Sequence, residues 1–497
     1  MATTLTTGRP WRVILLFAVP LLIGNVVQQL YQFVDTIVVG RHLGVDALAA
    51  VGATGSLLFL LLGFAWGMTS GFAIPTAQAF GARDYAGVRR SVASGAILTG
   101  ITTVILTVVA PLIARPVLIL LQTPAVLLDD ATVFTQVSFL GAGATMFFNF
   151  FAAIIRAIGD SRTPLVFLTI ACGLNVVLVL TFVGVLEFGV AGAALATVTS
   201  QAVSVLLCLE YVRRRVPVLH VHRADWRVSR ADLIEHLRLG LPMGFQASII
   251  AIGTLTVQVA LNRLGADAVA AYTTASRVDS LAVAFLQSLG LAVSMYAAQN
   301  LGGRRPDRIR RGVVQATGMA ILASLALGAL LITFGTQMVR IFIGSGSDEV
   351  VHLAHLMLIV NGVSYSALGV LFVLRGALQG IGHTLIPTVT GVIELVMRVG
   401  AAIVLGAFLG YVGVVLSNPL AWLGAAAVLI PSYVREHRRL AKMPIAPDLA
   451  TETTPIAVIG PTDGSMVVDA VITQPVRVVP ARRRLRPRRK AGSGARR

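Results

Sequence analysis

The chain has 497 residues, of which 56% are hydrophobic and 12% charged, with a formal charge of +18 and a mean hydropathy of +0.83. A large soluble helical protein is excluded because the long apolar runs carry almost no polar faces, and a β-barrel because alternating patterning is absent. What remains is an all-α membrane protein.

A hydrocarbon core of about 30 Å takes roughly 20 apolar residues per helix. On that scale the apolar runs predict twelve spans: 12–39, 49–78, 91–121, 131–155, 163–186, 189–212, 239–262, 268–298, 312–343, 350–375, 384–409 and 411–434. The first run is long and continues into a patterned helix, so it reads as a retained span and not a cleaved signal. Cys172 and Cys208 fall inside spans and read as structural thiols. The sequence predicts a first lobe over 1–212, a cytoplasmic linker over 213–238, a second lobe over 239–435 and a tail over 436–497. The linker RRRVPVLHVHRADWRVSRADLIEHLR, from Arg213, predicts a polar crossing followed by a short amphipathic helix on the membrane surface. The tail is rich in Pro, Thr, Val and Arg and ends ARRRLRPRRKAGSGARR. It predicts a disordered segment whose basic end is drawn to anionic lipid or merely reinforces topology, with no nucleic-acid role expected.

Position explains the basic charge. If the N-terminus is cytoplasmic, every Lys and Arg lies on the cytoplasmic side except Arg41, Arg115, Arg263 and Arg340 outside, and Arg277 and Arg398 within spans. The positive-inside rule then puts both termini in the cytoplasm of a multi-pass protein in a bacterial inner membrane.

The chain also repeats itself. GVDALAAVG from Gly44 returns as GADAVAAYT from Gly265, and QAFGARDYAGVRR from Gln78 returns as QNLGGRRPDRIRR from Gln299, both at a shift of 221. RAIGDSRTP from Arg156 returns as QGIGHTLIP from Gln379, at a shift of 223. So long a period means two homologous six-helix lobes, not a solenoid. Six is even, so the lobes share one topology and are related by a pseudo-two-fold along the membrane normal.

The first span is unusually polar. Asn25, Gln28, Gln32 and Asp35 recur at steps of 3, 4 and 3 and fall on one stripe, with Tyr31 beside them. A carboxylate within a membrane helix costs about 2.5–3.5 kcal/mol on insertion scales, so Asp35 should face the bundle interior or a wet cavity. There it can take up a proton, or bind a sodium ion, as the cavity opens and closes. It lies about 9 Å from the outer end of the span at Arg41. Asn175 in the fifth span and Thr197 in the sixth could converge on the same cavity. The competing reading of Asp35 is a hydrogen bond that pins its helix to a neighbour. Glu394 and Arg398 are four apart in the eleventh span and read as an internal ion pair, with a substrate role as the alternative. Arg277 and Asp279 are two apart and do not face each other. Arg375 is expected to snorkel to the inner surface. At a shift of 221 or 222 Asp35 falls on Thr256 or Val257, so the second lobe lacks its acid and ion coupling is expected in the first.

Enzyme motifs are missing: the sequence holds no HExxH, P-loop, dinucleotide fingerprint or nucleophile elbow, so the chain is not read as an enzyme. Uphill transport would then be ion-driven, with no cofactor.

VDTIVVGRHLGVDALAAVG from Val34, QAFGARD from Gln78, RAIGDSRTP from Arg156 and GVAGAALATVTSQ from Gly189 resemble multidrug and toxic compound extrusion (MATE) transporters. The resemblance covers residues 11–435 in order, and the DinF-like branch is the closer fit. It implies a V-shaped pair of lobes that expels cationic, amphipathic small molecules in exchange for H⁺ or Na⁺. Asp35 matches the family's first-helix acid, Gln28 a polar neighbour, Asn175 the fifth-helix Asn and Thr197 the sixth-helix Thr. Asn25, Tyr31, Gln32, Glu394 and Arg398 are the candidates to line the substrate cavity. Where many relatives carry a second Asp this chain has Val179, and the carboxylates of the NorM-like branch are absent from the seventh and tenth spans. Those departures favour H⁺ over Na⁺. A monomer in contact with membrane lipids is expected. The alternative is a lipid-linked oligosaccharide flippase of the same superfamily, which would need several basic residues in its cavity for a pyrophosphate.

Overall fold

A computed structural model describes residues 4–120, 123–343 and 348–445. Among them all regular structure is helical. The helices are α1 (Pro10–Gly81), α2 (Tyr85–Leu120), α3 (Ala125–Leu140), α4 (Ala142–Ala157), α5 (Arg162–Val179), α6 (Gly189–Arg215), α7 (Arg230–Asn262), α8 (Ala266–Gly302), α9 (Pro306–Ile343), α10 (Asp348–Ile381), α11 (Leu385–Leu409) and α12 (Tyr411–Leu440). The tail beyond Ala446, expected to be disordered and basic, lies outside the described residues.

These twelve helices map onto twelve spans only after two adjustments. α1 is two spans joined at Gly44, whose φ of 86° and ψ of −176° break an otherwise continuous helix. α3 and α4 form one span bent by 47° at Gly141. The remaining helices each supply one span. The first span runs on to Gly44, five residues past its expected end, so Asp35 lies nine residues, about 14 Å, from the break. α5 ends in a π-helical turn over Leu180–Val185.

The repeat is written in the backbone. Left-handed φ recurs at Gly44 and Gly265, Arg83 and Arg304, Gly159 and Gly382, and Gly189 and Gly410. Three of these pairs sit at the shift of 221 and one at 223. At Gly265 φ is 102° and ψ 175°, closely matching Gly44. A β-carbon is strongly disfavoured there, which is why only glycine can make the tight reversal at the same place in each lobe.

The lobes, α1–α6 and α7–α12, are fused at the end that carries the arginine-rich loops, hereafter the basic end. Ile14, Phe17 and Leu21, with Ala73, Ile74 and Ala77 further along α1, are buried in one apolar core with Leu289, Ala292 and Val293 of α8. At the far end, Val38, Val39, Ala47, Val183, Val190 and Ala193 form a separate small core within the first lobe. Lipid tails are as apolar as these side chains, so close backbone approach, not water exclusion, holds the lobes together. A β-carbon on Gly81 would overlap the carbonyl of Gln299, and one on Gly302 would overlap the carbonyl of Gln78. Glutamine amides tie the same place. Gln78 Nε2 donates to the Gly380 carbonyl at 3.0 Å, and Gln299 Nε2 donates to the Ala157 carbonyl at 2.7 Å. Each donor–acceptor pair is the other's image in the repeat, so a pseudo-two-fold axis passes between them.

The expected surface helix of the linker is the first two turns of α7. Ser229 accepts from Asp232 N at 3.1 Å and Asp232 accepts from Ser229 N at 3.1 Å, a capping box that starts the helix at Arg230. From there α7 runs unbroken into the membrane.

Candidate coupling site

The polar stripe of α1 divides. Asn25 Nδ2 donates to Ser288 Oγ of α8 at 2.9 Å and so reaches the second lobe. Gln28 and Gln32, on the same face nearer the break, are exposed. Their side chains make no hydrogen bond among the described residues. Asp35 is half-buried, but its Oδ1 is shut off from solvent and has no hydrogen-bond partner among the described residues.

One turn below Asp35, α1 meets α5 and α6. Tyr31 Oη and Thr197 Oγ1 lie 2.9 Å apart, and Asn175 Nδ2 donates to the same Thr197 oxygen at 3.3 Å. Thr197 Oγ1 also lies 3.3 Å from the Ala193 carbonyl, to which it can donate. Asn175 is 1% exposed, so its amide is committed to this cluster. The structure thus joins Tyr31, Asn175 and Thr197, and leaves Gln28 and Gln32 outside their network.

Close to Asp35 the lobes touch. The Arg277 guanidinium stacks over the Phe33 ring, 5.3 Å from its centroid. Phe33 lies 11 residues from Gly44 and Arg277 lies 12 from Gly265, so the contact sits roughly 16–18 Å from the two breaks, near mid-membrane. Asp35 is two residues beyond Phe33 toward the break, just on the far side of this contact.

The second lobe holds more charge than the ion pair expected of it. Glu394 takes Arg398 Nη2 on one oxygen at 3.0 Å and Arg375 Nη2 on the other at 2.9 Å. Arg375 does not snorkel: it is 5% exposed. Glu394, 19 residues away in sequence, captures it, a contact no local spacing reveals. With its amide oxygen turned toward Arg375, Gln246 accepts from Nε at 2.9 Å and Nη1 at 3.2 Å. The cluster therefore carries a net positive charge, with every close donor of Arg375 directed at an oxygen.

Asp279 has partners that sequence reasoning did not find. Its Oδ1 accepts from Tyr365 Oη at 2.6 Å and from Asn361 Nδ2 at 3.0 Å, both on α10. Asn361 and Tyr365 are four apart on a buried face, and that spacing was the one available signal. Their meeting with α8 needed the tertiary structure. Cys172 and Cys208 are free thiols, as read from the sequence. Among the described residues no cluster of His, Cys, Asp or Glu is arranged to hold a metal ion.

Comparison with known proteins agrees with this geometry. The sequence profile of the MatE family matches residues 20–181 and 242–404, one segment in each lobe. The chain is 30% identical over 392 residues to the probable multidrug resistance protein YoeA of Bacillus subtilis, covering 78% of this chain and 84% of that one. It is 29% identical to the probable multidrug resistance protein YpnP of the same organism, covering 86% and 96%. Among solved structures it resembles a MATE protein in complex with MaL6, with a TM-score of 0.83 at 26% identity, over 88% of this chain and 99% of the other. It also resembles an outward-facing multidrug resistance MATE transporter of the MOP superfamily, with a TM-score of 0.82 at 26% identity, covering 88% and 98%.

Proposed function

The chain belongs to the MatE family of membrane transporters, and on that premise we propose that it exports cationic or amphipathic small molecules from the cytoplasm in exchange for protons. The relatives named for multidrug resistance support the substrate class. The observation that carries the coupling mechanism is the Asp35 oxygen, closed to solvent and without a donor among the described residues, two residues from a contact between the lobes. A carboxylate leaves such an acceptor unsatisfied at a cost of about 1–3 kcal/mol, whereas a neutral acid lowers that cost. A group in that position changes its proton occupancy when its access to water changes.

In this reading the basic end faces the cytoplasm, and the lobes are closed there and parted at the outer side. A proton entering from outside neutralises Asp35. The first arm of α1 then loses its reason to keep a charge near water and repacks against α5 and α6 through Tyr31, Thr197 and Asn175. That movement narrows the cavity and releases substrate outward. Asp35 carries the proton, and the Tyr31–Thr197–Asn175 cluster positions the helix that carries it.

The flippase alternative gains little. A pyrophosphate needs free cationic groups, but Arg375 and Arg398 are held by Glu394, and Arg277 is stacked on Phe33.

The test is proton flux and dye efflux in proteoliposomes, with and without sodium, across a panel of cationic dyes. Wild-type protein should move dye against an imposed proton gradient without sodium. Asp35→Asn should abolish both fluxes while its melting curve stays within a few degrees of wild type. Undiminished proton-driven efflux in Asp35→Asn would overturn the mechanism.

A further inference from the structure

A cavity in the second lobe lies away from the Asp35 site. It is a groove of about 580 Å³ on the second lobe at the basic end, between the start of α7 and the start of α11. Its walls are Ile234, Leu237, Leu241, Pro242, Leu385, Ile386 and the buried Thr384, with the more exposed Arg238 and His383 at its mouth. Thr384 Oγ1 donates to the Arg238 carbonyl at 3.0 Å and Thr388 Oγ1 to the Pro242 carbonyl at 2.9 Å, so the two helices forming the groove are fixed to each other.

The apolar walls and the cationic mouth point to one class of occupant. Arg238 is exposed and its guanidinium has no acidic or hydrogen-bonding partner among the described residues. Across the mouth, His383 Nε2 lies 3.4 Å from Arg439 Nη1, and both lie near Glu436 Oε2, at 3.4 and 3.6 Å. Glu436 is 9% exposed on its side chain and so is turned inward, whereas Arg439 is 61% exposed. The accessible charge at the rim is therefore positive. Leu385 and Ile234, 68% and 52% exposed, stand where acyl chains pass.

The corresponding positions of the first lobe carry neither cation. At the repeat shifts Arg238 corresponds to Phe17 and His383 to Asp160. Asp160 turns its carboxylate onto its own helix start, accepting from Thr163 N at 3.0 Å, Thr163 Oγ1 at 2.7 Å and Tyr211 Oη at 2.9 Å. Basic pockets between membrane helices at the cytoplasmic level bind acidic lipid headgroups.

We propose that this groove is a binding site for an anionic phospholipid, with one acyl chain along α7 and α11 and its phosphate between Arg238 and the His383–Arg439 pair. The site also has a reach beyond itself. Two residues after Arg238, Gly240 is packed against Gly71 of α1, so a lipid seated here lies on a helix that itself packs against α1.

The experiment compares purified full-length wild type, Arg238→Gln, Arg439→Gln and Ile386→Trp. The variants remove one cation, remove the other, or fill the groove while leaving both cations. Retained lipid is read by native mass spectrometry after exchange into detergent with either phosphatidylglycerol or phosphatidylcholine. Melting temperature is read in nanodiscs of each lipid, and in detergent with inorganic phosphate. Wild type should retain phosphatidylglycerol at least fivefold over phosphatidylcholine and melt higher in phosphatidylglycerol nanodiscs. All three variants should lose that preference, yet melt like wild type in phosphatidylcholine, which shows that they fold. Equal retention of the two lipids by wild type, or an unchanged preference in Arg238→Gln and Ile386→Trp, would refute the site. Equal stabilisation by millimolar inorganic phosphate would also refute it, since a simple anion site needs no acyl groove.

Discussion

Glu394 is the residue on which most of the second lobe's interior charge rests. Both its oxygens are used, one by each arginine, and all three side chains are buried. Removing one partner from such a cluster leaves uncompensated charge in a medium that solvates it poorly, which typically costs about 3–5 kcal/mol. Glu394→Gln keeps the shape and removes the charge, leaving Arg375 and Arg398 facing each other across a neutral amide. A fall in stability of that size, read as a lower melting temperature in detergent, is expected. Arg398→Met should be milder. It leaves Glu394 paired with Arg375 and removes a guanidinium whose Nε already has no partner. If Arg398→Met were the more damaging of the two, the cluster would owe its stability to something other than the carboxylate.

At the scale of elements, the segment between α6 and α7 buries Val216 and Leu219 in the first-lobe core and is tied to α2 by the polar contacts of one aspartate. Asp225 Oδ2 accepts from His222 N at 2.9 Å and from Arg89 Nε of α2 at 3.1 Å. The His222 amide first, and then the Arg89 guanidinium, hold its carboxyl below the usual carboxylate range. A folded value below the unfolded one, about 3.9, means that Asp225 contributes stability in full above that pH. The contribution is lost as pH falls through the lower folded value. Wild type should therefore melt slightly above Asp225→Asn at pH 6, and the gap should close on acidification below about pH 4. A gap that widened in acid would reverse the assignment.

The same scale shows what the sequence could and could not disclose. Spans, lobes and repeat were legible because apolar length and self-similarity are one-dimensional properties. The fusion of the first two spans into α1 was not, because apolar length places a gap between them, whereas the helix resumes immediately after Gly44. The acid at Asp35 stood out as a charge in an apolar run, and Tyr31, Asn175 and Thr197 do gather one turn from it. Asp279 and Arg375 were harder, because their partners lie 82 and 86 residues away for the first and 19 for the second.

For the whole molecule, the question is what sets the balance between closure at the basic end and closure at the far end. The paired glutamines are placed to act on it, since each spans the lobes and each is the other's image. A neutral hydrogen bond contributes about 0.5–1.5 kcal/mol net, so losing one should shift the balance roughly twofold to tenfold toward opening at the basic end. Symmetry alone predicts equal effects for Gln78→Ala and Gln299→Ala. The structure predicts inequality, because Gln299 does a second job. Its Oε1 accepts from Leu5 N at 2.9 Å, and the segment leading to α1 is held further by Arg308, which donates to the carbonyls of Gly8 at 2.8 Å and Thr7 at 3.1 Å. Gln299→Ala therefore frees both a lobe contact and the strap that brings the chain's start across the second lobe. It should open the basic end more than Gln78→Ala, and the double variant should exceed either, because both act on one equilibrium. Spin labels on α2 and α9 near the basic end, read by double electron–electron resonance, would give the populations directly. Equal populations in the two single variants would mean that the strap at Leu5 does not bear on closure, and that the glutamines act only as a symmetric pair.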